Sequence, residues 1–204
     1  NNDIFEKYKN KFLSKNKNHS INKNSSNRNG STTHISVIDA FGNAASVTTT
    51  NGEGCGYVLP QAGFMLNNML GEEDLSPKGF HKHSPGKRLP SMVAPTIVLK
   101  DGNPVLVTGT AGSNRIRSVI VQMIINTLCN NMNISKATET PRVHLEGDIL
   151  HVEPGIPDNI LDELSNSFNV YQWTEKNVYF GGANSVLNSE GMGDPRRGGH
   201  TIII

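Results

Sequence analysis

Residues 31–50 read STTHISVIDAFGNAASVTTT. HISVID and AASVTTT are β-prone runs, and the AFGN between them supplies Gly42 and Asn43 for a tight turn, so a hairpin is expected over residues 33–50. In an extended strand Thr33, Ile35 and Val37 point to one face and Thr32, His34 and Ser36 to the other; the first is expected to be the core face and the second the polar one. Upstream, Lys15–Gly30 is polar and too poor in apolar residues to pack, which reads as a mobile connector behind a short amphipathic helix at Ile4–Leu13. Order is thus expected to begin abruptly at Thr32, with residues 1–31 as linker and residues 32–204 as the folded unit.

Outward from that hairpin, APTIVL and PVLVTG form a second one around Asp101-Gly102, with Pro104 at a strand start where its missing donor is tolerated. Residues 71–92, rich in Gly, His and Pro, are too long to be only a connection. After Gly112 the apolar period becomes 3.6: Ile116, Val119, Ile120, Met123, Ile124, Thr127 and Leu128 share one face of a helix capped by Asn114. Residues 149–153 read as a strand, Pro157–Leu164 as a second helix, and Val170–Trp173, Val178–Phe180 and Ser185–Asn188 as short strands. Hairpins, then helices, then strands give an α+β arrangement of sheet covered by helices.

Composition removes several alternatives. The chain has 204 residues, 35% hydrophobic and 18% charged, with 20 glycines and 10 prolines, which fits many turns rather than a helix bundle. The apolar stretch around Val119–Leu128 is far short of a membrane span. Cys55 and Cys129 stand apart with no second ligand, so they read as free thiols. His81 and His83 lack a third ligand at metal spacing, and no metal or organic cofactor is expected. Residues 1–30 hold seven Lys or Arg against two Asp or Glu, a net +5 within an overall +1. With few aromatics this basic leader offers no stacking platform, so nucleic acid is not an expected partner.

The junction Ser31-Thr32 is where chemistry is expected. A threonine hydroxyl is too weak an acid to attack an amide unaided, but a chain-terminal threonine carries its own base, an α-amine of pKa near 7.7–8.0. Cleavage before Thr32 would create nucleophile and base in one residue. TGTAGSNRI runs from a strand through Gly109 and Gly112 into a helix N-terminus, where unsatisfied N–H groups suit a developing oxyanion. Glu72, Glu73 and Asp74, beside Asn67 and Asn68, could hold an ammonium group.

These stretches together resemble the small subunit of the γ-glutamyltranspeptidase family, in order along the chain. STTHISVIDAFGNAASVTTT is similar to its first strands, GFMLNNML (63–70) to its Asn-Asn segment, and KRLPSMVAPTIVLKDG (87–102) to its Lys-Arg-Pro-Leu-Ser-Ser-Met-Ser-Pro-Thr segment. GTAGSNRI (109–116) resembles its glycine turn, ATETPRVH (137–144) its Ala-Pro-Arg segment, and GMGDPRRGG (191–199) its terminal Asp-Pro-Arg.

The resemblance implies an N-terminal-nucleophile hydrolase fold, an αββα sandwich of which this chain is one half and a large subunit of the same precursor the other. Residues 1–31 would be the large subunit's tail and residues 32–204 the catalytic small subunit. It implies cleavage between Ser31 and Thr32, Thr32 as nucleophile, Thr50 orienting it, and Gly112 and Ser113 as oxyanion donors. Asn51, Ser91 and one of Glu72, Glu73 or Asp74 would grip the α-carboxylate and α-amine of a γ-glutamyl substrate. His34 is read as a structural hydrogen-bonding residue. The implied activity is cleavage of glutathione or a related γ-glutamyl compound, with transfer to water, amino acids or peptides. Four departures bear on substrate: Ser113 replaces a glycine, Met92 a serine and Met69 a Glu or Gln, and the loop after Thr50 is two residues short. They keep poly-γ-glutamate or glutaryl amides as alternative substrates, and a non-catalytic structural partner as a third reading. Many relatives are periplasmic, secreted or surface-bound, and the compartment is not legible here.

Overall fold

The computed structural model describes residues 32–204; the helix expected at Ile4–Leu13, the connector Lys15–Gly30 and Ser31 lie outside the described residues. Strands β1 (Thr32–Ile38) and β2 (Ala44–Thr50) form the expected hairpin, Thr32 opposite Thr50 and His34 opposite Thr48. Its turn is fixed by Asp39, whose carboxylate accepts from the Phe41 and Asn43 amides (2.9 and 2.8 Å), and by Gly42 at φ +82°. The second hairpin, β3 (Thr96–Lys100) and β4 (Asn103–Ala111), turns at Asp101 and Gly102, both at positive φ, and its register shifts at Leu99 opposite Pro104.

β4 then pairs with β8 (Gly182–Leu187), and β8 with β9 (Glu190–Met192), giving a four-stranded antiparallel sheet in the order β3-β4-β8-β9. A smaller sheet joins β5 (Val143–Glu146), β6 (Ile149–Val152) and β7 (Asn169–Gln172), the last pair parallel. Helices α1 (Arg115–Ile124) and α2 (Ile134–Glu139) cover one face of the larger sheet: Val119, Met123, Ile134 and Ala137 pack with Leu106 and Ala183. Helix α3 (Asp158–Ser165) opens after Pro157, as expected.

Several expectations are corrected. Asn114 is already helical (φ −59°, ψ −22°) and makes no capping bond; its amide group is held elsewhere, as described below. The helical stripe holds through Met123, but a π-helical turn at Ile125–Cys129 rotates Leu128 outward while Thr127 stays buried, donating to the Met123 carbonyl at 2.7 Å. Val178–Phe180 is a 3₁₀ turn rather than a strand, because the Asn177 side chain caps the Tyr179 amide and Gly181 ends it at φ +77°. Helix α2 and strands β5 and β9 had no sequence-based expectation.

The largest correction concerns β1. The polar face is the buried one: His34 is 3% exposed, whereas Ile35 is 60% and Val37 45% exposed. The hairpin lies against the second face of the larger sheet through hydrogen bonds. Ser36 Oγ donates to the Asn184 carbonyl (2.8 Å), Asn184 Nδ2 to the His34 carbonyl (2.9 Å), and Ser46 Oγ to the Thr108 carbonyl (3.0 Å). Gly109 makes room for the His34 ring, which a Cβ at that position would overlap.

Candidate active site

Strand pairing at the open end of the hairpin brings Thr32 and Thr50 together, their hydroxyl oxygens 2.9 Å apart. Thr50 Oγ1 also accepts the Gly52 N–H at 2.9 Å, which fixes its rotamer. Two positions further along the same face, the His34 ring nitrogens meet Thr48 Oγ1 (2.6 Å) and Ser36 Oγ (2.9 Å). Burial lowers the His34 pKa from 6.5 to about 4, so the imidazole is neutral near pH 7 and engaged at both nitrogens.

Gly52 sits at φ +65°, and a Cβ there would overlap the Glu72 carboxylate and the Asn68 side chain. The Asn68–Glu72 segment therefore closes directly over the residue that anchors Thr50. Asn68 ties the two loops together: its Oδ1 accepts from the Glu53 amide (2.7 Å) and its N–H donates to the Asn51 carbonyl (3.2 Å). Glu72 Oε1 is buried and, among the described residues, has no hydrogen-bond partner. Burial, reinforced by the negative charges of Glu53 and Asp74, raises the Glu72 pKa. A buried carboxylate oxygen without a donor is costly, and an incoming ammonium group would relieve that cost.

Glu73 and Asp74 are exposed, in a 3₁₀ turn anchored by buried Leu75. Asp74 approaches the glycine turn, where Ser113 Oγ donates to its Oδ2 at 3.4 Å. Gly112 (φ +132°) and Ser113 (φ +52°) join β4 to α1, and their carbonyls accept from the Arg115 and Ile116 amides, both at 3.0 Å. Ser113 thus carries a side chain at a left-handed position that normally favours glycine.

The structure brings Thr32 together with Thr50, Glu72 with the Thr50–Gly52 turn through Gly52 and Asn68, and Asp74 with Ser113. Ser91 stands apart: its hydroxyl accepts from the Val93 amide (3.2 Å), and among the described residues no hydrogen bond links it to the threonine pair. Asn51 is exposed and contributes its backbone carbonyl to the loop. Asn68, expected beside the acidic residues, belongs to this site as the bridge between the two loops, and Gly52 belongs to it without a sequence-based expectation; the NGEG run at 51–54 carries its signal, a glycine needed for close approach. His83 Nε2 lies 3.4 Å from Ser76 Oγ.

Also outside the sequence-based expectations is a buried ionic network behind the site. Arg142 pairs with Asp194 (2.6 Å), and Arg196 with Glu153 (2.6 Å) and Asp194 (3.3 Å). The Asp194 amide donates to Asn184 Oδ1 (3.1 Å), and Asn184 Nδ2 reaches the His34 carbonyl. The ATETPR and GDPRR segments thereby brace the strand that begins at Thr32.

Residues 2–204 match the sequence profile of the family described as gamma-glutamyltranspeptidase. The glutathione hydrolase proenzyme of Bacillus subtilis (strain 168) is 37% identical over 139 residues, 67% of this chain and 24% of that proenzyme. The acylase ACY 1 proenzyme of Pseudomonas sp. (strain SE83) is 36% identical over 135 residues, 65% of this chain and 24% of that proenzyme. The chain thus spans about a quarter of the length of these curated relatives. The crystal structure of a mutant Helicobacter pylori gamma-glutamyltranspeptidase superposes with a TM-score of 0.70 at 33% identity, over 80% of this chain and 99% of that one. Such relatives share the N-terminal-nucleophile hydrolase architecture, and among the described residues no helix is long and apolar enough to cross a membrane. With a profile match over nearly its whole length and relatives above 30% identity, the chain belongs to the γ-glutamyltranspeptidase family, a family of enzymes.

Proposed function

We propose that this chain carries the catalytic half of an autoprocessing γ-glutamyltranspeptidase/hydrolase, with Thr32 as its nucleophile. The observation that carries the reading is the 2.9 Å contact between the Thr32 and Thr50 hydroxyls, with Thr50 itself held by Gly52. Thr32 Oγ1 attacks the Ser31 carbonyl, the Ser31–Thr32 amide becomes an ester, and water cleaves the ester to give a Ser31 carboxylate and a free Thr32 α-amine. The proximity of the groups makes this first step effectively intramolecular.

In turnover the α-amine takes the Thr32 hydroxyl proton as the oxygen attacks the γ-glutamyl carbonyl. At pH 7 about a tenth of such amines are neutral, given a pKa near 7.7–8.0. The tetrahedral oxyanion would be met by the N–H groups of Gly112 and Ser113. The leaving amine departs with the proton, and the γ-glutamyl ester on Thr32 passes to water or to an amino acid or peptide amine. His34 does not compete as base, since burial makes its imidazole a weak proton acceptor and both ring nitrogens are occupied by Thr48 and Ser36.

Glu72 is favoured for the substrate α-amine because its buried Oε1, without a hydrogen-bond partner among the described residues, lies beside Gly52; Glu73 and Asp74 are the alternatives. Asn51 and Ser91 are assigned to the α-carboxylate. The partner is the large subunit of the same precursor, with residues 1–31 as its tail and residues 32–204 as the small subunit. Ile35, Val37 and Val47, which are 60%, 45% and 50% exposed on the outer face of the hairpin, mark where it would complete the sandwich.

A second reading keeps the fold and changes the substrate to a glutaryl amide or poly-γ-glutamate. It is favoured by Met92 after Ser91, which leaves one hydroxyl for the carboxylate, and by the likeness to the ACY 1 acylase. Turnover of γ-glutamyl-anilide and glutaryl-anilide by the full-length protein separates the two, because only the first carries an α-amine. The first reading predicts preference for γ-glutamyl-anilide and its loss in Glu72→Gln; preference for glutaryl-anilide contradicts it.

A further inference from the structure

Ser113 holds a left-handed backbone conformation, φ +52°, at the turn assigned to the oxyanion. A non-glycine residue there is strained and persists only where its surroundings over-determine it. The two residues after it supply that restraint. Asn114 Nδ2 donates to Glu146 Oε1 at 2.8 Å, and Arg115 Nη1 donates to Asn114 Oδ1 at 2.8 Å. Arg115 Nε donates to the Tyr179 carbonyl at 3.0 Å while its guanidinium lies 4.7 Å above the centroid of the Tyr179 ring. Tyr179 Oη donates to Glu146 Oε2 at 2.6 Å and closes the circuit.

The same short segment supports the turn from behind. Gly181, two residues after Tyr179, is close enough to Gly112 that a Cβ on Gly112 would lie 3.1 Å from its Cα. A Cβ on Gly181 would come within 2.6 Å of the Ala111 carbonyl oxygen. Glu146 receives both donors most strongly as a carboxylate. Burial opposes its charge, but the bonds from Tyr179 and Asn114 and the positive Arg115 more than offset this and hold its pKa below the ordinary value. Burial, then Glu146, raise the Tyr179 pKa, which keeps the phenol protonated and donating.

We propose that Tyr179 and Glu146 are positioning residues that hold the Gly112–Ser113 turn in its donor geometry through Asn114 and Arg115. The inference rests on the reading of Gly112 and Ser113 as oxyanion donors. It separates roles within this chain: the acidic loop recognises the substrate, whereas the β5 end and the Tyr179 turn act only when charge develops.

The test uses the full-length, processed protein and the variants Tyr179→Phe, Glu146→Gln and the double variant. Small displacements of a reacting geometry cost up to roughly 10²-fold in rate. Tyr179→Phe, which keeps the ring under Arg115, should lower kcat for γ-glutamyl-anilide about 10- to 100-fold and leave KM within about twofold. A tetrahedral boronate analogue of the γ-glutamyl group should lose affinity by a similar factor while free glutamate binds as before. The double variant should lose much less than the product of the two single losses, since Tyr179 and Glu146 belong to one hydrogen-bonded circuit. Parent-like kcat and boronate affinity in Tyr179→Phe overturn the proposal, and so does a parallel loss of boronate, glutamate and thermal stability, which marks a structural role only. A parent that neither turns over γ-glutamyl-anilide nor binds the boronate overturns the functional reading along with it.

Discussion

Asp194 sits at the centre of the buried ionic network, and replacing it with asparagine is a demanding perturbation. Its carboxylate is fully buried and accepts four hydrogen bonds: Arg142 Nη2 (2.6 Å) and the Ala183 amide (2.9 Å) on Oδ2, the Arg196 amide (2.9 Å) and Arg196 Nη1 (3.3 Å) on Oδ1. Whichever way an asparagine turned, its NH₂ group would face two donors. Arg142 and Arg196 are now balanced by Asp194 and Glu153, so Asp194→Asn also leaves a net positive charge in a buried cluster. Removing one partner of a buried pair costs about 3–5 kcal/mol, equivalent to roughly two to four orders of magnitude in a local opening constant. Hydrogen exchange on the full-length protein, read by mass spectrometry for peptides covering 190–200 and 32–38, measures this. Both peptides should exchange faster, because the Asp194 amide holds Asn184 and Asn184 holds the His34 carbonyl. Protection within about tenfold of parent in both would refute the network's role, and a change confined to 190–200 would refute its coupling to the nucleophile strand.

Thr50→Val keeps the shape and β propensity of the residue but removes the hydroxyl, and is expected to slow both processing and γ-glutamyl-anilide turnover by roughly 10- to 100-fold; processing rates by gel densitometry and initial rates check it. His34 and His144, both with pKa values lowered by burial to about 4 from 6.5, remain neutral in the folded state while the unfolded chain takes up protons. Stability should therefore be flat above pH 6.5 and fall between pH 6.5 and 4, by at most about 3 kcal/mol per histidine, as seen in urea midpoints measured across that range. Ile35→Lys, on the outer hairpin face, should lose roughly 2 kcal/mol or more of subunit association if the large subunit covers that face. Native mass spectrometry showing parent-level assembly would count against that interface.

Local chemistry made some features legible and tertiary context hid others. The Gly42-Asn43 and Asp101-Gly102 turns and the apolar stripe of Ile116, Val119, Ile120 and Met123 are local signals, and the hairpins and α1 follow from them. Thr50 enters only through the family resemblance, and hairpin register then accounts for its nearness to Thr32. The burial of β1 is the reverse of the expectation because alternation tells which residues share a face, not what each face meets. Here Gly109 and Asn184, far along the chain, receive His34 and Ser36, and the apolar face is left outward. Tyr179 and Glu146 were invisible for a similar reason: VYF looks like a strand until the Asn177 cap is seen, and its partner lies 33 residues away. The acidic loop could be located but not resolved, since Glu72, Glu73 and Asp74 differ only in the burial that folding gives them.

The proposed function requires that Thr32 be freed by cleavage at its own amide. Intact-mass measurement of the purified full-length protein and of its Thr32→Ala variant tests this most directly. The parent should resolve into two chains whose masses place the cut between Ser31 and Thr32, and Thr32→Ala should remain a single uncut chain with no γ-glutamyl-anilide turnover. A Thr32→Ala protein that still splits at that bond, or a parent that hydrolyses the substrate while wholly uncut, would contradict the assignment of Thr32 as nucleophile.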